Sequence, residues 1–154
     1  MIVNTKRFGP IEIMNDQVIT FVRPIFGFEE LSKYFVVQSE EDRRPFEFLQ
    51  SIEDEDLTFI VTDPFAFFKN YEFQLDSHWI EALGVESEKD VQVMVVVTVR
   101  SAEDISCNLR APIVLNRARN VAAQIVLDNG GYSTKISLSE RKKGEDFDAD
   151  SVKK

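Results

Sequence analysis

Apolar residues recur mostly at every second position along this chain, the period of a half-buried β-strand rather than of a helix. The clearest run is Val91, Val93, Val95, Val97 and Val99 on one face, with Gln92, Met94, Val96, Thr98 and Arg100 on the other. One face is wholly apolar and the second half-apolar, so the pattern predicts a central strand. Ile105, Cys107 and Leu109 continue the buried parity, opposite Ser106, Asn108 and Arg110. Cys107 is thereby predicted to be a small core residue. No histidine or basic cluster beside it in sequence supplies the surroundings of a reactive thiol. Pro112 cannot donate to a ladder and predicts an edge, a bulge or a bend. Asn129-Gly130 predicts a hairpin joining a strand near residues 121–127 to one near residues 132–138. Gly9-Pro10 and Asn15-Asp16 predict breaks between short N-terminal strands.

Two segments depart from this period. Residues 29–33 predict a single helical turn. Residues 76–83 predict a helix, with Asp76 as its cap, Trp79, Ile80 and Leu83 as one apolar stripe, and Gly84 as its terminator. After Leu138 the apolar pattern stops. Residues 139–154 hold only Phe147 and Val152 as larger apolar groups and predict a charged, disordered tail. The fold prediction is therefore mainly β: a single small β-barrel-like domain over residues 1–138 with one or two short helices, followed by the tail. No internal repeat is visible.

Composition adds bounds. The length suits one domain with a real core. No charged-then-apolar leader opens the chain, and the longest apolar run, residues 93–97, is far too short to span a bilayer. One cysteine excludes an internal disulfide and a cysteine-based metal site. These features predict a soluble, cytoplasmic protein without a membrane partner.

Charge is distributed unevenly. The formal net charge is −9. The tail carries five basic and five acidic residues, so the body holds the excess. Between Glu40 and Asp56, eight acidic residues face only Arg43 and Arg44, a local net of −6. A phosphate backbone is repelled by such a field and a basic protein attracted. From charge alone, the run is a solvated loop that maintains solubility.

Eleven of the thirteen phenylalanines lie between Phe21 and Phe73, most predicted to be core. Phe65, Phe67 and Phe68 follow Asp63-Pro64. If that segment is extended, Phe65 and Phe67 share one side and Phe68 faces the other. Two roles fit them: capping an open end of the barrel, which is favoured, or forming a binding patch.

No constellation announces catalysis. His78 is the only histidine and stands beside Trp79 without metal partners at familiar spacing. Neither a Gly-x-Ser-x-Gly elbow nor a phosphate-binding Gly-x-x-x-x-Gly-Lys loop is present. Asp54 and Asp56 alternate with Glu53 and Glu55, but the turn glycine of a calcium loop is missing. No cofactor and no metal are predicted. Arg117-Ala118-Arg119 fits either a solvated turn, which is favoured, or an anchor for an acidic partner. Asn108 and Asn116 fit turn or edge positions. If Ala111-Pro112 opens an edge, a partner strand can add there.

The segment Asn108-Leu109-Arg110-Ala111-Pro112-Ile113-Val114-Leu115-Asn116 resembles the signature of the flagellar assembly factor family FliW. Other pieces of that pattern fall in order: Thr5-Lys6-Arg7-Phe8-Gly9, Gly27-Phe28-Glu29, Leu49-Gln50-Ser51, Phe59-Ile60, Asp63-Pro64, Tyr71 and Gln124-Ile125-Val126-Leu127. The resemblance covers about residues 2–138. It departs at Arg23-Pro24-Ile25-Phe26-Gly27-Phe28, where Pro24 fixes φ and the family usually carries a further glycine.

The resemblance implies a non-enzymatic protein, monomeric when free. Such a protein binds cytoplasmic flagellin and, in a partner switch, the translational regulator CsrA, so that flagellin translation follows flagellin secretion. Combined with the charge pattern, it nominates Glu40, Glu41, Asp54 and Asp56 as an electrostatic contact. Phe65, Phe67, Asn108, Arg110, Pro112 and Asn116 are nominated as more specific contacts. The alternatives are a small β-barrel nucleic-acid binder, which the charge opposes, and an acid-dependent hydrolase or lyase, which needs two convergent carboxylates in a deep pocket.

Overall fold

A computed structural model describes residues 1–38, 45–128 and 130–139. The predicted tail beyond Ser139, the nominated Glu40 and Glu41, and Asn129 lie outside the described residues.

The chain is mainly β. A hairpin of β1 (Ile2–Thr5) and β2 (Gly9–Glu12) stands apart from the main sheet. That sheet contains β3 (Ile19–Arg23), β4 (Lys33–Gln38), β5 (Phe46–Ser51) and β6 (Thr58–Thr62). It continues with β7 (Val91–Ser101), β8 (Asp104–Cys107), β9 (Ile113–Asn116), β10 (Val121–Gln124) and β11 (Ile136–Ser137). Its order is β11-β8-β7-β6-β5-β4-β3-β10-β9, and β9 pairs again with β7, which closes the ring.

The length of β7 makes closure possible. Its eleven residues extend roughly 35 Å at about 3.3 Å per residue. One edge pairs with β6; the other is divided, residues 91–94 pairing with β9 and residues 97–101 with β8. Met94 and Val95 point to opposite faces and both are buried, as the pattern of a central strand requires. Val99, on the predicted apolar face, lies past the segment that pairs with β9 and is 49% exposed.

The barrel interior receives side chains from every strand of the ring, among them Phe21, Tyr34, Leu49, Val61, Met94 and Ile113. Outside the barrel, Val95, Val97, Cys107 and Leu109 pack against Phe67, Tyr71 and Leu138. Cys107 is buried there, as its parity predicts. Phe35 on β4 packs against Val3 of β1 and Ile13, the residue after β2.

The predicted helix is α1 (Ser77–Leu83). Asp76 Oδ1 accepts from Trp79 N at 3.1 Å, and Gly84 ends the helix at φ 67°. Leu83 packs on Val114, Ala123 and Ile125. The apolar stripe is narrower than predicted, for Ile80 is 41% exposed.

Several expectations are corrected. Residues 29–33 form no helix: a turn occupies residues 29–30, and Glu53 Oε1 accepts from Ser32 N and Lys33 N where β4 begins. The chain reverses at residues 6–8, so Gly9-Pro10 lies inside β2 rather than between strands. Strands β10 and β11 do not pair with each other; β10 joins β3 and β9, and β11 joins β8. Residues 125 and 127 instead donate to Pro112 and Arg110, which leads the chain away from a local hairpin. Residues 64–66 form a 3-10 turn, capped by Asp63 Oδ1 on Phe65 N at 2.9 Å. Phe65 and Phe67 therefore do not share a side: Phe67 is buried and Phe65 exposed.

Tyr34 is fully buried between Phe21 and Phe59, and among the described residues its hydroxyl has no hydrogen-bond partner. Burial, with Glu53 and Asp54 adding negative potential, pushes its pKa up to about 12. The unfolded phenol ionises near its ordinary value of about 10. The stabilisation from keeping it neutral is thus complete below pH about 10 and is lost as pH rises toward about 12. Tyr34→Phe is expected to stabilise the protein by about 1 kcal/mol at neutral pH, by removing an unsatisfied buried hydroxyl. It is also expected to flatten the alkaline loss. Thermal unfolding followed from neutral to alkaline pH checks both.

Candidate interaction surface

The Ala111-Pro112 break is a built excursion. Val97 pairs with Cys107 and Met94 with Ile113, so five residues, 108–112, stand opposite two residues of β7. Asn108 shapes the loop: its N–H donates to Val96 O at 3.0 Å, and its Oδ1 accepts from Arg110 N and Ala111 N, both at 3.0 Å. The carbonyls of the segment are then filled in turn. Leu109 O accepts from Tyr71 Oη at 2.8 Å, and Arg110 O from Leu127 N at 2.8 Å. Ala111 O accepts from Gln124 Nε2 at 3.1 Å, and Pro112 O from Ile125 N at 2.9 Å. The edge foreseen here as open to a partner strand is therefore taken up within the chain. The reason is the register: β10 pairs Gln124 with Ile113, so residues 125–127 necessarily run beside residues 110–112.

Gln124 ties a second motif to this one. Its Oε1 accepts from Phe26 N at 2.9 Å. Residues 25–28 form a tight turn in which Phe28 N donates to Ile25 O at 2.9 Å and Gly27 takes φ 89°. That positive φ at the third turn position requires glycine or a tolerant residue. Pro24 immediately precedes the turn. The turn carries Phe26, 49% exposed, and Phe28, whose ring meets Phe59 at 5.2 Å. A cleft of about 320 Å³ lies beside it, lined by Phe26, Phe59 and Asn108; its charged lining residues are Arg100 and Lys135.

The N-terminal and central motifs shape the acidic corner. Ser51 Oγ accepts from Glu53 N and Asp54 N, and Gln50 Nε2 donates to Ser51 O and Glu55 O. Lys6 N donates to Glu55 O at 2.9 Å, while Arg7 lies 4.6 Å over the Phe48 ring. Asp54 and Asp56 are held exposed on this loop, Asp54 Oδ1 accepting from Asp56 N.

The nominated residues separate by burial. Asp54, Asp56, Phe65 and Arg110 are exposed and Asn108 is half-buried. Phe67 and Pro112 are buried. Asn116 is 1% exposed; its Nδ2 donates to Leu83 O at 2.8 Å and its Oδ1 accepts from Ala118 N at 3.0 Å, which fastens the end of β9 to α1. Phe65 stands beside a cleft of about 460 Å³ holding Glu47 and Asp63. Burial, and secondly Asp63, pushes the Glu47 carboxyl above its usual range. Both carboxylates are tied locally, Glu47 to Gln38 Nε2 and Asp63 to Phe65 N. His78 is exposed against the Trp79 ring, and among the described residues no group of three or more metal-ligating side chains is assembled. Arg117, Ala118 and Arg119 form an exposed turn, with Arg119 3.7 Å from Glu86. Among the described residues no helix is long and apolar enough to cross a membrane.

Sequence reading missed the exposed Phe26, the cations Arg100 and Lys135, and the linking role of Gln124. A signal for Gln124 existed: a glutamine within the apolar run 121–127 is a polar group that must find partners once buried.

A closed β-barrel, with its irregular segments locked to one another and its loops presenting acidic and aromatic groups, is the class of protein defined here. The chain belongs to the FliW family: the model of the family described as FliW protein matches residues 2–138. It is 43% identical over 136 residues to "Flagellar assembly factor FliW" of Bacillus licheniformis, covering 88% of this chain and 94% of that one. The Bacillus subtilis protein of the same description is also 43% identical, with the same coverage. A solved structure described as "Crystal structure of the flagellar assembly factor FliW" matches with a TM-score of 0.83 and 36% identity, over 90% of this chain and 96% of that one.

Proposed function

We propose that this protein is a cytoplasmic flagellar assembly factor that works by binding rather than catalysis, holding unassembled flagellin and, alternatively, the translational regulator CsrA. The observation that carries this reading is the agreement of sequence and fold, over nearly the whole chain, with proteins named flagellar assembly factor. Two partners competing for one protein form a switch set by their concentrations and relative affinities. When flagellin accumulates, it occupies the factor and CsrA is released to repress flagellin translation. When flagellin is secreted, the factor returns to CsrA.

The acidic corner supports the second half of the cycle. A regulator that binds RNA presents basic groups, and an acidic protein docked beside them weakens RNA binding through its field. The proposal places Asp54 and Asp56, with Glu40 and Glu41, on that electrostatic contact. Arg110 and Phe65 supply exposed groups for specific recognition beside the half-buried Asn108, while Phe67, Pro112 and Asn116 hold the surface in shape from within.

Calorimetric mixing of the protein with its host's CsrA and unassembled flagellin tests this. Binding to both, with flagellin displacing CsrA, is expected. Binding to neither, with both partners shown competent, overturns the assignment. A variant combining Asp54→Asn, Asp56→Asn, Glu40→Gln and Glu41→Gln is expected to bind CsrA about tenfold more weakly at low salt, with a flatter salt dependence. Unchanged affinity at every salt concentration would remove the electrostatic contact from the proposal.

A further inference from the structure

A groove of about 630 Å³ lies between residues 72–76 and residues 125–128. The backbone along it is only partly used. Ile125 and Leu127 direct their N–H groups to Pro112 O and Arg110 O. In an extended chain the peptide groups of successive residues point to alternate sides, so those of Val126 point away from residues 110–112. Val126 lines the groove and is 42% exposed. Among the described residues, its N–H and C=O have no hydrogen-bond partner, nor have those of Phe73, Gln74 and Leu75 on the other wall.

This open edge has a cause in the sequence. Strand β10 stops at Gln124 because the next partner, Pro112, has no N–H to return to Ile125. The chain stays extended beyond that point, held by one-way bonds on one side and open on the other. Such an edge is a template for an added strand.

The groove also carries a charge preference. Its charged lining residues are Glu72, Asp76 and Asp128, all exposed, on a protein of net charge −9. Phe73, Leu75, Trp79 and Leu127 contribute half-buried apolar surface between them. Arg23 lies 5.5 Å over the Trp79 ring and is the cation stacked beside this lining.

We propose that the groove binds an extended segment of a partner protein by strand addition to the Val126 edge, the segment alternating apolar residues with lysine or arginine. Main-chain bonds to Val126 supply register, and the carboxylates of Glu72, Asp76 and Asp128 select positive side chains. The inference rests on the function proposed above only in requiring a protein partner.

The probe is a short peptide in which lysine alternates with valine and threonine, compared with the same peptide carrying glutamate for lysine. Binding to the full chain is read by fluorescence polarisation, and amide protection by hydrogen exchange. The lysine peptide is expected to bind, to protect the Val126 amide, and to lose affinity as salt rises; the glutamate peptide is not. Val126→Pro removes the donor without breaking an internal hydrogen bond and is expected to weaken binding about tenfold. Asp128→Lys, at an exposed position, is expected to do the same and serves if the proline variant does not fold. No binding of the lysine peptide, equal binding of both peptides, or full affinity in a folded variant overturns the proposal. Flagellin and CsrA titrations on the same variants separate the two ideas, since retained binding there with lost peptide binding leaves the proposed function intact.

Discussion

Leu49→Ala is expected to lower stability by about 4 kcal/mol, within the usual range for a fully buried leucine that leaves a cavity. Leu49 is 0% exposed and sits inside the barrel among Phe21, Tyr34, Val61, Met94 and Ile113. Collapse around the gap is resisted because the walls are a closed ladder: β5 is bonded to β4 and β6, and the ring returns through β9 to β7. An open sheet can slide to fill a void; a closed one must distort several ladders together. The expected fall in melting temperature is about 12 °C, at about 3 °C per kcal/mol for a domain of this size. Val99→Ala, on the exposed end of β7, is expected to stay within about 0.5 kcal/mol. Thermal and urea unfolding of both variants check the contrast, and a small loss at Leu49 would mean that the interior is not packed as described.

The barrel was legible where the pattern is local. Alternation over residues 91–100 gives β7 its two buried faces, and Asp76 and Gly84 bracket α1 because caps act within one turn of the chain. The barrel class was foreseen, but the route by which the ring closes was not legible. Nothing in the spacing of β9 says that it pairs with both β10 and β7, since that depends on the extra length of β7 and on the three-residue surplus in residues 108–112. The Asn129-Gly130 hairpin failed for the same reason: a strong local turn signal was overridden by residues 110–112, which offer carbonyls to residues 125 and 127. The run Phe65, Phe67, Phe68 failed on geometry, since Asp63-Pro64 opens a 3-10 turn and the two-residue alternation does not apply there.

The surface was legible as a set of motifs and illegible as an arrangement. Residues 25–28, 108–112 and 124–127 are distant in sequence, yet one side chain, Gln124, bonds to the first two. Leu49-Gln50-Ser51 carried no visible chemistry, but Gln50 and Ser51 set the backbone of the acidic loop that holds Asp54 and Asp56 outward. Pro112 and Asn116 were nominated for contact because they lie in the most distinctive run; the fold uses them from inside, as a missing donor and as a buried clamp. Charge was the one surface property readable without contacts, because acidic side chains that lack partners stay in water wherever the loop goes.

Gln124→Leu tests the junction directly and is expected to cost about 3 kcal/mol. The substitution keeps the volume nearly constant, so packing is not the main loss. It strands two backbone groups, the Phe26 N–H and the Ala111 C=O, of which the second is buried. Each unsatisfied group costs about 1–3 kcal/mol, offset in part by the added apolar burial. The Phe26 amide should lose hydrogen-exchange protection before the barrel unfolds, because the turn at residues 25–28 is then held locally, by the Phe28 N to Ile25 O bond and the exposed Gly27 N to Glu29 Oε2 bond. Gln124→Glu separates donor from acceptor. It keeps an oxygen for Phe26 N but, ionised, sets a carboxylate against Ala111 O. Burial beside a carbonyl raises the pKa of the introduced carboxyl, so only its protonated form donates to Ala111 O. Stability relative to the parent chain should therefore be highest below about pH 4 and fall as pH rises through the raised value. A Gln124→Glu variant with no such pH dependence, or a Gln124→Leu variant that keeps Phe26 protected, would show that the glutamine does not hold these two motifs together.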